Sequence, residues 1–229
     1  MGSTRLPGKV LKTIKGKTLL EYHLERLEQT GLPVVVATSE LEKDNPIVEL
    51  CDRLGVSVWR GDEQDVLSRY AEAAQEYGFD PVIRVTSDCP LIDPSLLMQG
   101  LKKYEANNYE YLEAVAESGI PHGLDFQIVS YSKLKEADLQ ATEVYKREHV
   151  MPYVSKQSGI SRGQINSENN YRWIRITVDQ PEDFQLITIL IEQHQADELD
   201  WRGIVDIIES QPELLNVNKK WNEYYEMAP

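Results

Sequence analysis

Cysteine is nearly absent. Cys51 and Cys89 are the only two in 229 residues, too few for a disulfide framework, and this composition points to a reducing cytoplasm. No apolar run reaches the roughly 18 residues of a membrane span, and no charged-then-apolar leader opens the chain. Positive charge is also scarce, with 24 Lys and Arg against 38 Asp and Glu and a net charge of −14. That balance excludes a general binder of nucleic acid or of anionic membranes, both of which reward a basic surface. Any polyanionic ligand must therefore be held by a few local cations. At 41% hydrophobic the chain has ample material for a core, and a single domain over 1–229 is expected.

What is present begins at the amino terminus. Gly2, Ser3, Thr4, Arg5, Leu6, Pro7, Gly8 and Lys9 place two glycines, two hydroxyls and two cations in a stretch too irregular for helix or strand. Such a loop suits phosphate: glycine lets backbone N–H groups turn toward an anion, and Arg5 and Lys9 supply charge and donors. Phosphate loops of α/β proteins leave a strand and run into a helix. The helix side is here, in Leu19, Leu20, Leu24 and Leu27 before Gly31, but no strand precedes the loop. A buried strand upstream of Met1 is expected, with a tight start of the loop at Met1 itself as the alternative.

Beyond the loop, short β-branched runs alternate with amphipathic helices, the pattern of a mostly parallel sheet covered on both faces. Strands are predicted at 33–38, 56–59 and 81–86, with helices at 45–54, 62–77 and 95–106. An inserted antiparallel pair is predicted at 109–115 and 124–130, then helices near 132–139 and 143–156. The polar segment 158–170 is expected to be a mobile excursion or a dimer arm. A strand at Trp173 to Val178 (WIRITV) returns to the sheet, and helices near 181–194, 200–210 and 218–226 finish the chain.

Open α/β sheets bind ligands at the carboxyl ends of their strands. Asp88 directly follows the run PVIRVT and Asp179 directly follows WIRITV, so both can face one crevice. Two isolated carboxylates suit magnesium on phosphates, since that ion takes one or two protein carboxylates and keeps several waters. Aspartate is also a common helix N-cap, so either residue has a purely structural alternative.

The motifs GSTRLPGKVL, GDEQDVLSRY, RVTSDCPLIDP, HGLDFQIV, REHVMPYV and TVDQPEDF occur in that order along nearly the whole chain. Together they resemble the cytidylyltransferases of the spore-coat polysaccharide biosynthesis type, relatives of the enzymes that make CMP-activated sialic and 3-deoxy-manno-octulosonic acids. The resemblance implies an α/β/α sandwich of the nucleotide-diphospho-sugar transferase type with a small antiparallel insertion. CTP is the implied donor, a sugar the acceptor, Mg2+ the cofactor and a homodimer the assembly. Position by position, Arg5 and Lys9 match the phosphate-loop cations, within a loop that includes Gly2 and Ser3, and Asp88 and Asp179 match the metal-binding aspartates. Arg69 and Arg84 match basic positions near the nucleotide. His122, Asp125, Arg147 and His149 match positions on the sugar side. The chain departs from the family pattern in lacking the strand before the loop and in carrying Ser87 where a glycine precedes the metal aspartate.

The implied reaction is in-line attack of a sugar hydroxyl on the α-phosphate of CTP, with electrostatic catalysis and no covalent enzyme intermediate. Two alternatives remain at this stage. One is a glycosyltransferase that uses a nucleotide-sugar; the other is a non-catalytic remnant or binding module, because fold alone does not fix function.

Overall fold

The computed structural model describes residues 2–227, so the chain start at Met1 lies outside it. The phosphate-type loop runs through a 3-10 turn at Lys9–Leu11 into a short hairpin, β1 (Thr13–Ile14) and β2 (Lys17–Thr18), and then into α1 (Leu19–Glu28). Thr18 starts that helix. Its Oγ1 accepts from the Glu21 N–H at 3.1 Å while Glu21 Oε2 accepts from the Thr18 N–H at 2.7 Å, a reciprocal cap for donors that the first turn leaves unpaired.

The predicted alternation follows as β3 (Val35–Ser39), α2 (Asn45–Leu54), β4 (Ser57–Gly61), α3 (Val66–Tyr77), β5 (Val82–Arg84) and α4 (Pro94–Ala106). β3 and β4 pair in parallel from Val35 opposite Ser57 to Ser39 opposite Gly61, as a crossover through a helix requires.

A second sheet holds β6 (Tyr111–Ala114), β7 (Phe126–Val129) and β8 (Arg162–Gln164) in the order β5-β7-β6-β8. β7 is antiparallel to both β5 and β6, and β8 is parallel to β6. Alternate residues face opposite cores, as the pleat dictates. Leu112 and Ile128 join the core that includes Leu97 of α4. Tyr111, Val129 and Val82 join the one built on α3 and α5 (Tyr131–Gln140). Helices thus cover both faces, in the α/β/α layering expected from the sequence. Next come α6 (Val144–His149), α7 (Pro152–Ser155), α8 (Pro181–His194) and α9 (Trp201–Ser210).

Four elements differ from the sequence expectation. The run 173–178 is buried, closing a turn at Trp173 and extended from Ile174, but it is no ladder strand. Among the described residues it makes one bridge, Arg175 with His122, in which the His122 N–H donates to the Ile174 carbonyl at 2.9 Å and the His122 carbonyl accepts from the Ile176 N–H at 2.8 Å, because a loop rather than a strand lies beside it. The helix expected over 143–156 breaks into α6 and α7 at Val150, whose φ is 66°, just before Pro152, which cannot continue a helix. The segment 158–170 contributes β8 to the sheet edge. The 218–226 region forms 3-10 turns instead of an α-helix. There Asn218 and Asn222 donate to the Arg175 and Trp173 carbonyls at 3.1 and 2.6 Å, side-chain bonds that compete with the helical ladder.

Candidate active site

The site grows from the loops at the carboxyl ends of the sheet. The Val178 N–H donates to the Asp88 carbonyl at 2.8 Å, which fastens the segment after β5 to the run that precedes Asp179. Gly8, with φ of 67°, turns the amino-terminal loop so that Lys9 reaches the same place. Lys9 Nζ lies 2.9 Å from Asp88 Oδ2 and 2.8 Å from Asp179 Oδ1. Arg5 Nη2 comes within 2.9 Å of that same Asp179 oxygen. Burial alone would lower the Lys9 ammonium, but the charge of Asp88 and the hydrogen bonds to both carboxylates hold it above its ordinary value. Burial would likewise raise Asp88, yet the Lys9 charge and the Thr86 hydrogen bond hold it below the usual carboxylate range.

Neither aspartate serves as a helix cap. Asp93 caps α4, accepting from the Leu96 N–H at 2.8 Å. Gln180 is the N-cap of α8, in a capping box whose third helical residue, Asp183, accepts through Oδ2 from the N–H groups of Gln180 and Asp179 at 3.0 Å. The structural alternative for Asp88 and Asp179 therefore falls away, and their carboxylates face the cations.

A buried arginine underlies this cluster. Arg175 donates from Nε and Nη2 to the two carboxylate oxygens of Asp183 at 2.9 and 2.8 Å, a fork matched to a carboxylate. Its Nη2 also lies 3.3 Å from Asp179 Oδ2, and its Nη1 is 3.2 Å from His122 Nδ1. His122 Nε2 in turn is 4.0 Å from Asp125 Oδ2. Asp125 accepts from the N–H groups of Gly123 and Ala116 at 2.8 and 3.1 Å, yet burial keeps its carboxyl above the ordinary value despite the His122 charge. Gly123 is obligatory here: with φ of 115°, a Cβ would lie 2.6 Å from the Ile176 carbonyl carbon.

The other sequence candidates scatter. Ser3 shapes the loop, its Oγ accepting from the Leu6 N–H at 3.2 Å, and Gly2 lies beside Glu63 and Lys43. Arg69 donates to the Glu63 carbonyl at 3.0 Å and Arg84 to Gln127 Oε1 at 2.8 Å. Both line one long cavity with Ser87. Arg147 is fully engaged away from this cluster. Its Nε is 2.9 Å from both Asp65 oxygens and its Nη2 is 2.7 Å from Asp138 Oδ1, so it clamps α3 and α5 to α6. His149 is exposed and packs on Tyr145, ring centroids 4.5 Å apart. Sequence reasoning missed Arg175 and Asp183. The signal was the lone arginine inside the apolar run WIRITV, since a charge in such a run needs a buried partner.

The donor set at the cluster suits a hard cation. Asp88 and Asp179 each offer oxygen to the Lys9 ammonium at ordinary contact distance, so the two carboxylates already converge on one positive centre. Among the described residues no group of three or more His, Cys, Asp and Glu converges on a single point.

Parallel pairs, a helix-covered sheet and a charged cluster at the strand ends define an α/β fold of the nucleotidyltransferase type. The cytidylyltransferase family matches residues 1–218, and the chain belongs to that family. It is 30% identical over 205 residues to the spore coat polysaccharide biosynthesis protein SpsF of Bacillus subtilis, covering 84% of this chain and 83% of that one. A cytidylyltransferase structure from Leptospira borgpetersenii superposes with a TM-score of 0.87 at 32% identity, covering 93% of this chain and 92% of that one. CMP:2-keto-3-deoxy-manno-octonic acid synthetase, solved in complex with CTP, shares the fold at a TM-score of 0.64 and 18% identity, covering 84% of this chain and 95% of that one. Among the described residues no helix is long and apolar enough to cross a membrane.

Proposed function

We propose that this chain transfers CMP from CTP to a hydroxyl of a sugar acid, releasing pyrophosphate, in the supply of surface-polysaccharide precursors. The observation that carries this reading is the convergence of Lys9, Arg5, Asp88 and Asp179 at one point, in a member of the cytidylyltransferase family. The sugar hydroxyl gives up its proton to solvent as its oxygen attacks the α-phosphorus, the bond from that phosphorus to the oxygen bridging to the β-phosphate breaks, and pyrophosphate departs with the electron pair. Asp88 and Asp179 would hold Mg2+, which supplies charge neutralisation on the phosphates. Arg5 and Lys9 bind the departing pyrophosphate, electrostatic work that needs no covalent intermediate. His122 and Asp125 orient the acceptor hydroxyl. A homodimer in the cytoplasm, where two buried free cysteines stay reduced, completes the proposal.

The test is pyrophosphate release from each of the four nucleoside triphosphates with Mg2+ and a panel of sugar acids. CTP-selective, acceptor-dependent release is expected. Release of a free nucleotide from a nucleotide-sugar would replace this reading with a glycosyltransferase.

A further inference from the structure

A second cavity opens beside the charged cluster. It holds about 220 Å³, the share of roughly seven waters and enough for one sugar ring. His122, Asp125 and Arg175 line it from within the portion of the chain that matches the family; Trp221, Glu223 and Tyr224 line it from beyond that portion, which ends at residue 218. Arg175 ties the cavity to the reaction centre, since its Nη2 lies 3.3 Å from Asp179 Oδ2.

Side-chain bonds hold the carboxy-terminal contribution in place. The Trp221 indole N–H donates at 3.0 Å to Oε2 of Glu182, in the first turn of α8, and the Tyr224 hydroxyl donates to Glu117 Oε1 at 3.1 Å. Between them, Asn222 Nδ2 donates to the Trp173 carbonyl at 2.6 Å. A wall ordered in this way loses little further freedom when a ligand enters.

The chemistry of the lining is one-sided. Glu117, Asp125 and Glu223 bring three carboxylates. Among the described residues the lining holds one cation besides His122, and that cation, Arg175, is already engaged: its Nε and Nη2 bond Asp183, and its Nη1 lies beside His122. Lys220 and Arg172 each lie 5.0 Å from a ring centroid, of Trp221 and Tyr224 respectively, but outside the lining, and Lys220 pairs with Glu182 at 2.6 Å. A ligand carboxylate placed here meets like charge. An ammonium meets charge-assisted acceptors and aromatic faces that attract cations.

We propose that this cavity selects the acceptor, with Trp221, Glu223, Tyr224 and Glu117 as its specificity wall, and that the group it takes is a protonated amine. The inference rests on the CMP-transfer reading above. The carboxylate of the sugar acid stays with Arg5 and Lys9, and the end of the ring remote from it enters the cavity. The acceptor class is therefore an amino-substituted sugar acid.

The experiment titrates the full chain at pH 7, without nucleotide or metal, with glucosamine, glucose and glucuronate, and follows the indole N–H resonance of Trp221 by NMR, identified by its loss in Trp221→Phe. Glucosamine is expected to shift it with an affinity about tenfold tighter than glucose, as a charge-assisted bond supplies, and glucuronate to leave it unmoved. Glu117→Gln with Glu223→Gln is expected to abolish the preference for the amine while the rest of the spectrum stays that of the parent. Equal affinity for glucosamine and glucose, a shift by glucuronate, no shift by any sugar, or a preference that survives the double variant would each overturn the proposal. These readouts need no turnover. CTP-dependent pyrophosphate release that is equally efficient with a sugar acid and its amino analogue would therefore leave CMP transfer standing and overturn only this inference. A glucosamine-selective shift without pyrophosphate release from any acceptor would overturn CMP transfer and leave the ligand class of the cavity established.

Discussion

The ammonium of Lys9 stands between Asp88 and Asp179, 2.9 Å from one and 2.8 Å from the other, and so joins the amino-terminal loop to the ends of two distant segments. The side chains involved are mostly buried, at 15, 24 and 17% exposed, so this is a working electrostatic contact rather than a surface pair. Asp88→Asn, which keeps shape but removes charge, is expected to lower kcat by at least a hundredfold with the thermal midpoint within a few degrees of the parent. Steady-state pyrophosphate release and calorimetry check both halves, and near-parent turnover would remove Asp88 from the mechanism.

Lys9→Met leaves the two carboxylates facing each other without their cation. A loss on the order of 2 kcal/mol is expected, discounted for partial exposure. Urea unfolding at pH 7 measures it. Added Mg2+ should restore part of the lost midpoint in this variant, and no restoration would argue against a divalent cation between Asp88 and Asp179.

Arg175→Met removes the partner of Asp183, a carboxylate with no solvent exposure. Breaking such a pair costs about 3 kcal/mol or more because a buried charge is left alone. For a domain of this size that corresponds to a fall of roughly 10 °C in Tm. Arg175→Met with Asp183→Leu should recover much of it, a double-mutant outcome that a catalytic role alone would not produce.

Acid should unfold the protein through its paired carboxylates. Burial would raise Asp183, but the hydrogen bonds and charge of Arg175 and the bond from Asn218 hold it below the ordinary range, and Asp88 is depressed in the same sense. A folded-state value below the unfolded one contributes stability in full above about pH 4, and that stability is lost as pH falls through the folded value. Denaturation midpoints from pH 7 to pH 2 should drop below pH 4, and Asp183→Asn should flatten that drop.

Arg147→Lys separates two roles. Lysine keeps the charge but loses the fork that holds Asp65 and Asp138 together. A lower Tm by about 1–2 kcal/mol of stability, with KM for the acceptor unchanged, is expected from the clamp geometry. A raised KM with unchanged Tm would return Arg147 to the sugar side of the site.

The local rules carried a large part of the fold. β-Branched runs, and helical runs closed by Gly55 and Gly78, both left-handed caps, placed β3, α2, β4 and α3 to within a few residues, because periodicity and capping are properties of neighbours in sequence. The rule of strand ends singled out Asp88 and Asp179 before any geometry existed. Less was legible where partners are distant. WIRITV has the composition of a strand, but a strand needs a neighbour, and among the described residues only His122 offers Arg175 a bridge. Asn218 and Asn222 sit in a helix-like stretch whose turns are set by carbonyls about 45 residues away.

The sequence by itself determined the layering, the composition of the basic loop and the family, since each is written in local pattern or in motif order. The tertiary structure decided that Lys9 lies between Asp88 and Asp179, that Arg147 is a clamp, and that Arg175 is the buried hub. Those outcomes depend on which groups meet across the fold. Burial makes an unpaired charge or peptide group costly, and only the folded chain determines which partner relieves it.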